Sequence, residues 1–172
     1  MEFFKETAHL TLCAATAADA EVLAAKRSTP FVMRYNLYTP CDKAQMAVEL
    51  ETYPHILLKC RKTGEIIGAI SIRDDDFRYH IASKELVAWL TDKHAHKGLM
   101  AEALPHVMAW VFDNGAERIA VRIFADNTAS HRLAEKLGFT REGYLTRAVR
   151  NAAGEVFDVL LYSISKEDFS SK

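Results

Sequence analysis

Two short runs of the sequence place polar and small residues where apolar segments end, and their types suit the binding of a phosphate. In the first, a buried-strand pattern over residues 86–90 runs into WLTDKHAHKGLMAEAL, which puts Lys97, Gly98 and Leu99 at a helix start. A helix start leaves about four backbone N–H groups unpaired and carries about half a positive charge, so an anion sits there readily. Gly98 removes a side chain where a ligand's oxygens would approach the backbone. An ordinary helix cap is the other reading of the same residues. The second run, DNTASHRLAEKLGF, follows an apolar strand and opens a second helix at Asn127, a good capping residue.

In order and wording these runs resemble the GNAT superfamily of acetyl-CoA-dependent N-acetyltransferases, and within it the branch that acetylates the N-termini of ribosomal proteins. The matching residues are Trp89 and Leu90 at a strand end, Lys97-Gly98, Glu102 to Leu104 as Glu-Ala-Leu, Asn127 to Ser130 as Asn-x-Ala-Ser, and Lys136 to Phe139 as Lys-Leu-Gly-Phe. Gly154, Glu155, Asp158 and Tyr162 join them, and LTLCAATAADAEVLAA does so more loosely. The resemblance implies a GNAT-type α/β fold: a mixed, mostly antiparallel central sheet of about seven strands, splayed at the centre and flanked by about four helices. One domain over residues 1–172 is the expected organisation. The superfamily's phosphate loop, Arg/Gln-x-x-Gly-x-Gly/Ala, falls on Ala95, His96, Lys97, Gly98, Leu99 and Met100, where only the central glycine survives. Backbone N–H groups hold most of a pyrophosphate, so binding is compatible with these changes if Met100 points away from the ligand. Pro105, seven residues into the helix, removes the bond to the carbonyl of Ala101 at a cost of roughly 3 kcal/mol and predicts a kink.

The implied reaction moves an acetyl group from a thioester to an amine, which requires a neutral amine, stabilisation of an oxyanion and a proton for the departing thiolate. Deprotonating a lysine side chain near pH 7 costs roughly 4 to 5 kcal/mol, against about 1 for an α-amino group, so an N-terminal acceptor demands less of a base. The resemblance places an acidic residue on the strand before the phosphate loop, here Glu85, as a base acting through water; a solvated strand-end glutamate is the alternative. Where much of the superfamily has a thiolate-protonating tyrosine, this chain has Ala134, and Ser130 takes over that role unless it only bonds nearby backbone. Asn127 reads both as a cap and as a contact to the pantetheine arm. Acetyl-CoA is the expected co-substrate, held by Leu90, Thr91, His96, Lys97, Gly98, Leu99, Met100, Asn127 and Ser130. A backbone N–H near Leu90 would polarise the thioester if a bulge splays that strand. Tyr35, Tyr38 and Trp89 are the expected acceptor contacts, with core packing as their other reading.

Composition narrows the classes. The chain has 172 residues, 49% hydrophobic and 26% charged, as expected of a soluble globular protein. Its 22 basic and 23 acidic residues argue against a dedicated nucleic-acid binder. MEFFKETAHL has neither a positive leader nor a long apolar run, so no membrane partner is expected and the cytoplasm is the expected location. Cys13, Cys41 and Cys60 are too scattered for a disulfide framework or a zinc site, and His94, His96, His106 and His131 have no carboxylate or cysteine at ligand spacing, so no metal is expected. The expected partners are acetyl-CoA and an amine acceptor, a protein N-terminus first, with the protein a monomer or homodimer. The acidic turn at Asp74, Asp75 and Asp76 keeps a polyamine or aminoglycoside acceptor open. The eroded phosphate loop keeps open a non-catalytic acyl-CoA-binding module.

The elements that must position these residues follow from alternation and caps. A strand is expected over 9–13, then a helix from Thr16 and Asp19 to about Lys26, ended by Pro30. The aromatic run over 31–38 reads as an irregular substrate wall, and Asp42 caps a helix to about Thr52. Strands over 55–60 and 65–72 form a hairpin through Lys62, Thr63 and Gly64, and a strand over 84–91 follows. Met100, Leu104, Val107, Met108 and Val111 give a helix packed on the sheet and stopped by Asn114 and Gly115. A strand over 118–124, the Asn127 helix with a left-handed cap at Gly138, and a hairpin of 142–150 with 155–164 turning over 151–154 complete the chain, with a frayed tail.

Overall fold

The computed structural model describes residues 2–36, 38–151 and 153–171. Leu37, inside the expected aromatic wall, and Ala152, inside the expected last turn, lie outside the described residues. The strands are β1 (Phe4–Glu6), β2 (Leu10–Ala14), β3 (His55–Cys60), β4 (Ile66–Asp74), β5 (Ser83–Leu90), β6 (Arg118–Phe124), β7 (Thr140–Arg150) and β8 (Val156–Ser165). They form one open sheet in the order β1-β2-β3-β4-β5-β6-β8-β7, in which only β5 and β6 run parallel. The count exceeds the expected seven by β1, whose three residues are all exposed and carry no alternation to read.

Among the described residues there are six α-helices where about four were expected: α1 (Ala20–Arg27), α2 (Pro30–Met33), α3 (Lys43–Thr52), α4 (Leu99–Asp113), α5 (Thr128–Lys136) and α6 (Lys166–Ser170). The additional two are short. Pro30 starts α2 instead of only ending the segment before it, since the first helical position needs no N–H and favours the fixed φ of proline. The tail is not frayed over its last turn. Ser165 caps α6 through the amide of Asp168 at 3.1 Å, and Phe169 packs 5.2 Å from the Phe112 ring. Pro105 does not interrupt α4, which runs unbroken over 15 residues.

The strands' period of two sorts side chains onto opposite faces. Leu57, Ala69 and Trp89 face α1 to α3 with Ala20, Leu23 and Met46. Ile56, Leu58, Ile70 and Leu86 face α4 and α5 with Val107, Met108 and Ile123. α3 is fixed by a reciprocal cap, the Gln45 amide donating to Asp42 at 2.8 Å and the Asp42 amide to Gln45 at 2.9 Å. α5 is closed by Gly138 at φ 89°, the left-handed cap expected there.

The parallel ladder is the feature that positions the site. It holds only Ser83 to Arg118, Lys84 to Ile119 and Glu85 to Ala120, while β5 stays paired with β4 to Leu90 and β6 with β8 to Phe124. Beyond Glu85 and Ala120 the two strands therefore diverge. No register shift accompanies this, so the expected bulge is not the cause.

Candidate active site

The divergence opens a cleft in two connected parts. An inner compartment of about 150 Å³ lies between β5, β6 and α5, with Ala88, Val121, Phe124, Leu133 and Ala134 among its walls. An outer groove of about 610 Å³ continues past Trp89 and Leu90 to Gly98, Leu99 and Met100 at the start of α4, and to Asn127 and Ser130 at the start of α5. Two bonds show which backbone groups of β5 face it. The Thr91 amide donates to Ile67 on the β4 side, and Ala82 accepts from Arg118 on the β6 side. Strand alternation then turns the backbone groups of Ala88 and Leu90 towards the cleft.

At the far end, α4 has no side-chain cap and its first bond is the Glu102 amide to the Gly98 carbonyl. Among the described residues the amides of His96 to Ala101 donate to no protein acceptor, a concentration of free donors that fits a phosphate. Gly98 stands at φ 77° and a Cβ added there would meet nothing within 4 Å. The residue is thus required by its left-handed backbone, which other residues adopt at about 1–2 kcal/mol, and not by crowding. His96 shares that conformation at φ 59°. Met100 lines both parts of the cleft and packs on the core beside Leu104. A 3.6-residue period places it on the apolar stripe that also carries Ala103 and Val107.

The start of α5 divides two roles that the sequence left joined. Asn127 is the cap, its Oδ1 accepting from the Ser130 amide at 3.2 Å, and it also lines the cleft. The Ser130 hydroxyl makes no hydrogen bond among the described residues and borders both compartments. Ala134 is buried in the inner wall, so no hydroxyl arises from that position.

Glu85 occupies the opposite face of the sheet, on the side of Val87 and Trp89. Its side chain is 12% exposed, with Oε1 2.9 Å from the Arg122 Nε. Burial raises its pKa; Arg122 and Arg73 pull against that rise, and Asp75 and Asp76 add to it. Arg73, its register partner on β4, is 3.1 Å from Glu49, which also contacts Arg27 and, at 3.3 Å, His55. Burial opposes ionisation of Glu49 too, but these partners win and hold its pKa at about 2.

Of the anticipated contacts, Tyr35, Trp89, Leu90, His96, Gly98, Leu99, Met100, Asn127 and Ser130 all line the outer groove. Thr91 and Lys97 do not line it; the Thr91 hydroxyl is 2.8 Å from His94 Nδ1. Tyr38 is buried beneath the Arg27 guanidinium, 4.5 Å from its ring, and belongs to the core. Ala88, Val121, Leu133 and Arg122 were missed. The first three are apolar residues with no mark to set them apart from core, whereas Arg122 interrupts the apolar strand RIAVRIF and was the one readable signal.

Known proteins give this geometry a family. Residues 9–140 match the family described as acetyltransferase (GNAT) domain. The chain is 30% identical to the uncharacterized N-acetyltransferase YoaA of Bacillus subtilis (strain 168), over 94% of this chain and 96% of that one. Among solved structures it superposes on the ribosomal-protein-S5-alanine acetyltransferase of Vibrio fischeri with a TM-score of 0.85 at 20% identity, covering 98% of this chain and 99% of the other. A ribosomal L7/L12 alpha-N-protein acetyltransferase in complex with coenzyme A superposes with a TM-score of 0.80 at 18% identity, covering 95% and 98%. The free donors, the cleft and these likenesses agree: the chain belongs to the GNAT acetyltransferase family and is an acetyl-CoA-dependent N-acetyltransferase.

Proposed function

We propose that this enzyme acetylates the N-terminal α-amine of a protein, as a single domain acting in the cytoplasm by direct transfer within a ternary complex. The observation that carries this reading is the cleft through the sheet, with free backbone donors at one end and the Glu85 carboxylate, its side chain 12% exposed, on the opposite face. The pyrophosphate of acetyl-CoA binds the amides of His96 to Met100. Ala88 and Leu90 offer backbone groups to the pantetheine and the thioester carbonyl, assisted by Asn127. The acceptor enters from the Glu85 face, beside Tyr35. Its nitrogen attacks the acetyl carbon as Glu85 takes the amine's proton through water, the new C–N bond forms, and the C–S bond breaks. The departing thiolate is protonated by Ser130, which regains its proton from solvent. A single carboxylate suits an α-amine, whose pKa near 8 leaves little to deprotonate, better than a lysine or polyamine near 10. The two ribosomal-protein acetyltransferases of similar fold support the same acceptor class.

Thiol release from acetyl-CoA, measured with peptides bearing free Ala or Ser N-termini beside spermidine and an aminoglycoside, tests the proposal. Faster turnover on the peptides is expected. Preference for a polyamine or aminoglycoside would overturn the acceptor class, and acetyl-CoA affinity without turnover on any amine would overturn the catalytic roles.

A further inference from the structure

Arg122 lies two residues beyond Ala120, the last β6 residue paired with β5, on the face away from Ile119 and Ile123. Its guanidinium spans the opening between the strands to meet Oε1 of Glu85, and it rests 4.8 Å from the centroid of the Phe77 ring. Glu85 Oε2 has no hydrogen-bond or ion-pair partner among the described residues. One carboxylate oxygen is thus held and the other is left for water. Arg122 also borders both the inner compartment and a second hollow of about 240 Å³ on the Glu85 face, whose walls include Phe77, Arg78 and Glu142.

We propose that Arg122 is the positioning residue of the base: it bridges the diverging strands and holds Glu85 Oε1, leaving Oε2 free to take the acceptor's proton. This rests on Glu85 being the base. A carboxyl this buried needs an opposite charge beside it to stay ionised near neutral pH. The other charged groups around it do not supply one cleanly. Arg73 on β4 is already engaged by Glu49 of α3, and Asp75 and Asp76 in the β4–β5 loop carry the same sign as Glu85. Asp75 is itself tied to Ser83 at 2.8 Å and Arg78 at 2.7 Å, and Glu142 of β7 is tied to Arg78 and Arg118. Arg122 remains as the cation committed to Glu85.

The test is the pH profile of kcat/KM for a peptide acceptor in Arg122→Gln, Arg122→Lys, Glu85→Gln and the double variant Glu85→Gln/Arg122→Gln, each divided by wild type at the same pH. In Arg122→Gln the acid limb should move up by about 1 to 3 pH units, so the loss is greatest near pH 6 and shrinks by pH 9. Arg122→Lys, which keeps the charge and is the safeguard if the glutamine variant folds poorly, should recover most of the rate. Adding Arg122→Gln to Glu85→Gln should change nothing further. A loss in Arg122→Gln that is equal at every pH, a change in acceptor KM alone, or full additivity in the double variant would overturn the proposal. Failure of the underlying reading looks different: Glu85→Gln by itself would then keep the wild-type profile.

Discussion

The two sides of the cleft present different groups to a ligand. On the α4 side the donors are main-chain amides of His96 to Ala101, and side-chain identity matters little beyond the φ of Gly98. On the β4–β6 side everything depends on side chains: Glu49, Arg73, Glu85 and Arg122 alternate in charge across four neighbouring elements, α3, β4, β5 and β6. A backbone site tolerates drift in its sequence, which is why Ala95 and Met100 can stand in a loop where the superfamily has other residues. A side-chain site has no such tolerance, so substitutions there should alter chemistry where substitutions in the loop alter little.

The largest expected effect is on the side-chain face. Glu85→Gln should lower kcat by about 100- to 10,000-fold near pH 7, and the deficit should narrow as the acceptor amine loses its own proton. A deficit constant up to about pH 9 would separate Glu85 from base catalysis.

Glu49 sharpens the same side through stability. Its folded pKa of about 2 lies below the ordinary glutamate value of 4.5, so its stabilisation is fully present above pH 4.5 and is lost as pH falls towards 2. That loss is on the order of 3 kcal/mol, and acid denaturation of Glu49→Gln should lack that portion of the pH dependence. A variant with the wild-type slope between pH 5 and 2 would show that other carboxylates carry it.

On the backbone side, Gly98→Glu should weaken acetyl-CoA binding by about 100-fold, because it strains the left-handed turn and sets a negative charge beside the phosphate donors. Lys97→Ala, outside the groove wall, should change affinity by less than about 5-fold. Equal effects in isothermal titration would erase the contrast between main-chain and side-chain recognition.

Ser130→Ala should reduce kcat by about 10- to 100-fold with acetyl-CoA affinity and thermal midpoint nearly unchanged, since the cap belongs to Asn127 and not to the Ser130 hydroxyl. The smallest effect is Asn127→Ala, where loss of the cap costs about 1 kcal/mol, or roughly 2–4 °C in Tm. A drop in Tm for Ser130→Ala with an intact rate would exchange the two assignments.

Local signals account for most of what could be read in advance. Asp42 and Gln45 bond each other within one turn, Gly138 takes the left-handed cap that its position demands, and residues 118–124 are mostly apolar and β-branched, so each was legible from a few neighbours. The same holds for the helix starts at Gly98 and Asn127. What escaped notice depends on partners far along the chain. Tyr38 is core because Arg27 of α1 lies over it, and Arg122 matters because β6 happens to be the neighbour of β5. The short strand β1 escaped because its pairing partner, β2, does the packing for both. Ser165 three residues before Asp168 is a readable cap in the tail.

Among the described residues the ladder between β5 and β6 is only three residue pairs long, flanked by the bonds of Ala82 to Glu117 and Arg118 and by the Glu85–Arg122 ion pair. The molecule therefore has a seam in its middle, a pair of interior edges where other sheets have only outer ones. Hydrogen exchange should map it: the amides of Ala88 and Leu90 should exchange faster than those of Val87 and Trp89 beside them, which bond across to β4. A molecule that bridges both margins would act as a splint, slowing those two amides and raising the unfolding midpoint in proportion to the logarithm of its concentration over its dissociation constant. The same gap that admits a substrate thus makes ligand binding and mechanical cohesion of the sheet one property.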